Sequence, residues 1–184
     1  MYKTLVLTTM FLAAGAALGQ HAEHDPPADC PMKNAAAPSP YVGHEEREIK
    51  ALSVDDRERL LAGHGMGMAL AAELNRYPGP KHVLELSEEL DLRPEQVDAT
   101  KTIFHAMDEE ARELGRRVLG LEADLDARFA TGEIDKAGLA AVVAEIGRVR
   151  GELRLCHLRA HLEMRAAMTE DQIVAYDRLR GYRR

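Results

Sequence analysis

The stretch CHLRAHLEMRAAM, residues 156–168, holds the densest set of soft and borderline metal ligands in the chain. His157, His161, Met164 and Met168 stand four, three and four residues apart, so on a helix they form one stripe. Two imidazoles at i,i+4 can hold a single ion, and Glu163 or an acid on a facing helix can complete its shell. Imidazole and thioether together suit zinc, copper or nickel. The pair lacks the intervening Glu that marks a zinc protease, so the chemistry indicated is binding rather than hydrolysis. The same residues also read as histidines flanking a helix interface, hydrogen-bonded or solvated.

Two weaker ligand groups lie upstream. His21, His24, Cys30 and Met32, with Asp25 between them, fall within twelve residues. They read either as a linker or as an arm that captures copper or zinc. His64 sits in GHGMGM, residues 63–68, where closely packed glycines with Met66 and Met68 filling the gap are preferred to a metal site. His82 and His105 are scattered and read as structural. No Ser, Cys or Lys has a base partner nearby in sequence, and no phosphate-binding glycine loop appears. Paired acids such as Glu109 and Glu110 lie beside Arg112 and Arg116, where ion pairing is expected. The chain is therefore not expected to be an enzyme.

The segments that must position these residues begin after a leader. Residues 1–19 combine Lys3, an apolar run from Leu5 to Leu18 and small residues before Gln20. This is the pattern of a signal peptide cleaved near Gly19/Gln20, too short for a membrane span, and it implies export. In an oxidising compartment Cys30 and Cys156 could pair, but Cys156 falls on an apolar helix face, where a buried free thiol is the plainer reading. Lys3 is the only charge in the leader, so the mature chain is more acidic than the full-length net charge of −7. That balance excludes nucleic acid as the expected partner.

Residues 20–40 contain almost no large apolar side chain and read as a disordered tail; one domain follows from 41 to 184. Ser53 and Asp56 form a capping-box pattern opening a helix to about Ala62. MALAAELNRY and HVLELSEELDL each read as a further helix, separated by the turn YPGP at 77–80. From Pro94, apolar or neutral residues recur at Val97, Thr100, Phe104, Met107, Ala111, Leu114, Val118, Leu121 and Leu125. These alternating steps of three and four predict one long helix to Ala130, with Phe129 packing at its end. Gly132 and Asp135 mark a C-terminus and a new N-cap. Leu139, Val142, Ile146, Val149, Leu153, Cys156 and Ala160 then repeat the alternation. Two such helices joined by a short link fold back as an elongated antiparallel hairpin, and Thr169 opens a last short helix. The expected class is all-α.

A loose echo links LRPEQ (92–96) with MTEDQ (168–172). Both resemble the LTxxQ motif of the periplasmic Spy/CpxP group, which includes ZraP-like zinc-resistance proteins and CnrX-like metal sensors. The resemblance spans about Tyr41 to Tyr182 and takes in GMGMALAAELNRYPGPKHVLEL and LRAHLEMRAAMTEDQIVAYDRLRGY. It implies a periplasmic helical hairpin that dimerises into a curved cradle and acts without ATP. The implied roles are heavy-metal response, refolding of unfolded clients, or communication with a membrane-bound signalling protein. Met164 matches the Met of a His/Met pair used by some nickel- and cobalt-sensing relatives. The residue four before it is Ala160, with His161 one position away, so that sensor site does not transfer directly.

Overall fold

The structure is a computed structural model and describes residues 37–182. The leader and the ligand-rich group His21, His24, Cys30 and Met32 lie outside the described residues. Pro40 onward forms a single compact unit. It is all-helical, with no strand among the described residues: α1 (Val54–Leu61), α2 (Leu70–Glu73), α3 (Pro80–Glu85), α4 (Pro94–Thr131), α5 (Lys136–Ala167) and α6 (Glu170–Leu179), preceded by a single 3-10 turn at His44–Glu46.

The helix boundaries follow local chemistry. Ser53 Oγ accepts the Asp56 N–H at 3.0 Å while the Ser53 N–H donates to Asp56 Oδ2 at 3.2 Å, a closed capping box. α4 starts on Pro94 and ends at Gly132 in the left-handed region, φ 71°; Asp135 Oδ1 then accepts the Gly138 N–H at 2.7 Å and starts α5. The two long helices run antiparallel and pack along their length. Cross-links whose numbers rise on one helix as they fall on the other fix the direction: Glu110 pairs with Arg159, and Glu122, further along α4, with Arg150 at 2.7 Å, earlier on α5.

The expected seam is buried at its centre and frays toward the link. Ala111, Leu114 and Val118 face Val149, Leu153 and Cys156 in one apolar cluster that also takes Ile49, Leu52 and Leu60. Phe129, expected to pack, is instead 58 % exposed. α5 begins only at Lys136 and buries nothing before Val142, so the last turn of α4 has no opposing surface. At the crowded centre, a Cβ on Gly115 would stand 2.1 Å from the Leu60 carbonyl oxygen. The end of α1 rests on the α4 backbone there, and only glycine admits it.

Two predicted helices are shorter than expected. MALAAELNRY yields only Leu70–Glu73, bracketed by Met66 (φ 45°) and Arg76 (φ 70°), and HVLELSEELDL ends at Glu85 before turns that close with Asp91 at φ 47°. The helices themselves end before Arg76 and Asp91, at Leu74 and at Leu86 (φ −110°, ψ 20°), so favourable propensity does not carry them on. GHGMGM is a loop rather than a helix. Its Met68 packs against the apolar cluster, whereas Met66, expected to fill a gap, has a left-handed backbone and is 38 % exposed.

The echo between the two five-residue motifs has a physical meaning. Gln96 Nε2 donates to Gln172 Oε1 at 2.9 Å and to the Ala167 carbonyl at 2.9 Å, while Gln172 Nε2 donates back to Gln96 Oε1 at 3.2 Å. Each glutamine also accepts the N–H of the residue that caps its own helix, Arg93 at 3.2 Å and Thr169 at 2.9 Å. The pair fastens the start of α4 to the α5–α6 corner. No helix among the described residues is long and apolar enough to cross a membrane.

Candidate functional site

At the open end of the hairpin, opposite its closing link, a cleft of about 540 Å³ lies between the 62–70 loop, α3, α4, α5 and the Arg180–Tyr182 segment. Both histidines of the α5 stripe line it, together with His64, His82, Met66, Met107 and Asp108. His157 is 4 % exposed and His161 9 %. The ring of His157 lies beside Gly65, and its Nε2 is buried without a hydrogen-bond partner. Burial, reinforced by neighbouring His161 and opposed by Asp108, lowers the pKa of His157 below the ordinary imidazole value, which favours the neutral, metal-binding form.

His161 is oriented by its surroundings. Its Nδ1 is 2.7 Å from the Tyr77 carbonyl oxygen; a carbonyl only accepts, so Nδ1 carries the proton and the lone pair of the neutral ring sits on Nε2. The same Nδ1 lies 3.6 Å from Glu73 Oε2. Glu73, 7 % exposed, is the hub of this end of the molecule. Its Oε1 accepts from the hydroxyls of Tyr176 at 2.6 Å and Tyr182 at 2.9 Å, and its Oε2 accepts the Gly79 N–H at 3.1 Å. Burial and the bond to Glu73 raise the Tyr176 phenol pKa well above its usual range and keep it a donor. The backbone and side-chain bonds around His161 form the kind of outer shell that fixes a ligand's tautomer and direction.

The other candidates divide clearly. Met164 and Met168, 1 % and 9 % exposed, sit in a second apolar cluster with Val83, Leu90, Ile173 and Tyr176 and are not among the residues lining the cleft. The stripe is continuous along α5, but its cover changes: the two histidines meet the cleft, the two methionines are sealed beneath α3 and α6. His64 is exposed at the cleft's edge. His105 is exposed and His82 bonds Glu85 at 2.8 Å. Cys156 is buried, its Sγ donating to the Met107 carbonyl at 3.4 Å, and burial pushes its pKa up to about 11, an unreactive thiol. Among the described residues no three His, Cys, Asp or Glu converge as a ready metal shell.

Sequence reasoning did not find Glu73, Tyr176, Tyr182 or Gly79. The available signal was a single acid inside the apolar run LAAEL; its partners are about a hundred residues away in sequence, beyond the reach of periodicity. The fold and cleft define an all-helical hairpin protein with a cleft walled in part by histidines. No known protein-family model, curated protein or solved structure matches the chain.

Proposed function

We propose that the chain is a metal-responsive periplasmic protein of the Spy/CpxP-like type, working as a homodimer and taking up zinc, copper or nickel through His157 and His161. One observation carries this reading: two buried imidazoles share a cleft wall, and one has a nitrogen without a protein partner. A buried polar atom left unpaired costs on the order of 1–3 kcal/mol, a cost that a ligand removes. A bound ion would supply a Lewis-acidic positive charge. The chain's own residues do the rest: Tyr77 holds His161, and Glu73 ties that turn to α6 through Tyr176. Occupancy of the cleft therefore bears on how the 76–80 turn and α6 are held, surfaces on which a signalling partner could read the metal state.

Calorimetric titration of the protein with Zn²⁺, Cu²⁺ and Ni²⁺ tests this. Wild type is expected to bind one of them at one ion per chain, and a His157→Ala, His161→Ala variant with unchanged circular dichroism to lose that binding. A wild type that binds none, or a variant that binds equally well, removes the metal reading.

A second reading, an ATP-independent chaperone for unfolded clients, is favoured by Met66 and Leu70, which line the cleft and remain 38 % and 54 % exposed. Adaptable methionine surfaces suit varied clients. Metal-free protein should then suppress aggregation of a reduced, unfolding client at near-stoichiometric ratio; unchanged aggregation argues against it.

A further inference from the structure

The cleft is far larger than an ion. At about 540 Å³ it falls in the range of sites for small organic molecules, which combine apolar walls with a few placed polar groups. Phe104, Met107 and Leu70 supply such a wall, and Lys81 and Arg180 supply positive charge. Arg180 is already engaged by Glu73 at 3.7 Å and by the Tyr182 hydroxyl. Lys81, exposed, makes no ion pair with any described residue. Glu85, whose carboxylate Lys81 helps to hold ionised, is bonded instead to His82. In a chain of net charge −7 an unmatched cation on the wall of an amphipathic cleft marks where an anion would sit.

The donor set points the same way. His157 and His161 offer two nitrogens, and a zinc site that takes an exogenous ligand keeps coordination positions open for it. Gly79 adds to the space on that side. Its φ of −85° is open to any residue, yet a Cβ there would stand 3.0 Å from His161 Cε1 and 3.2 Å from Nε2, pressing on the edge that carries the lone pair.

We infer that the cleft takes its metal together with a small chelating organic carboxylate, of the hydroxy-acid or amino-acid type, as a ternary complex. The two imidazoles hold the ion, the chelator's oxygens fill the remaining positions and meet Lys81, and its carbon skeleton lies against Met107 and Phe104. This rests on the metal reading of the same cleft.

Equilibrium dialysis of the full chain with Zn²⁺ and radiolabelled citrate tests it. Citrate should be retained only when zinc is present, at about one per zinc. Lys81→Gln should weaken citrate retention about tenfold with circular dichroism unchanged. The His157→Ala, His161→Ala variant should retain neither. Zinc retained from the mixture with no citrate beside it, or citrate acting only to strip the zinc, overturns this inference and leaves the metal reading standing. Citrate retained without zinc also overturns it, as does a zinc–citrate complex held equally by the double variant. If wild type retains neither, both readings fall.

Discussion

At the closed end of the hairpin, where residues 132–135 link α4 to α5, buried side chains are mainly apolar and charges lie outside. Val118, Val142, Ile146 and Val149 form the seam. Around it run surface pairs such as Arg128–Asp124 at 2.8 Å and Arg148–Glu145 at 2.6 Å, and the one buried acid, Glu122, is matched by Arg150. At the open end, Glu73, Gln96, Thr100, His157, His161 and Asp177 are all buried, and Glu73, Gln96 and His161 are held by hydrogen bonds that cross between segments distant in sequence. The closed end needs only apolar residues at the right spacing. The open end needs particular polar partners in particular places, and where one is missing, as at His157 Nε2, a buried polar atom is left unpaired.

The largest effect should come where the two regimes meet. Leu153 is 1 % exposed in the apolar cluster with Leu60 and Leu114, so Leu153→Ala should lose about 2–5 kcal/mol, read as a lower urea midpoint at unchanged slope. A loss under about 1 kcal/mol would mean that the seam is looser than its burial implies.

The next test asks whether the polar hub stabilises the open end as the seam does the rest. Tyr176→Phe leaves the packing volume nearly intact but takes one donor from a buried carboxyl, so it should cost about 1.5–3 kcal/mol. Tyr182→Phe, at a partly exposed ring, should cost less. Equal, negligible costs would erase the contrast between the two ends.

The hairpin was legible because periodicity is a local signal. Alternating steps from Val97 to Leu125 and from Leu139 to Ala160 determine which faces meet, and Gly132 and Asp135 mark the turn. The buried histidines were legible as a spacing, though not which half of their stripe would face open space, since that depends on where α3 and α6 lie. The Glu73 hub was illegible: its partners Tyr176 and Tyr182 come from the far end of the sequence, and nothing about a lone acid in LAAEL predicts them. The short α2 and α3 were less legible for a related reason: they give way to turns after Glu73 and Glu85, although the residues that follow have good helix propensity.

Titration separates the ends more gently. Burial lowers the folded-state pKa of His157 below its unfolded value, so the unfolded chain binds the proton more readily. His157 therefore contributes stability that is present above the unfolded imidazole pKa and is lost as pH falls through the folded one. The urea midpoint of metal-free protein should drop between about pH 7.5 and about pH 5.5, and His157→Gln should flatten that drop. An unchanged slope in the variant would show that His157 opens to water before it protonates.

The smallest effect is expected at Phe129, and it bears on the comparison from the other side. A large aromatic in the last turn of a long helix would ordinarily be a core anchor, and its removal from a packed site costs about 3–5 kcal/mol. Here it is 58 % exposed, beyond the point where α5 has anything to set against it. Phe129→Ala should therefore change stability by no more than about 0.5 kcal/mol in the metal-free monomer. If the loss instead grows with protein concentration, the ring is buried in a contact between copies, and the closed end is itself an interface. If it is large and independent of concentration, the tip packs within the chain, and the division between a tolerant end and a specified end does not hold.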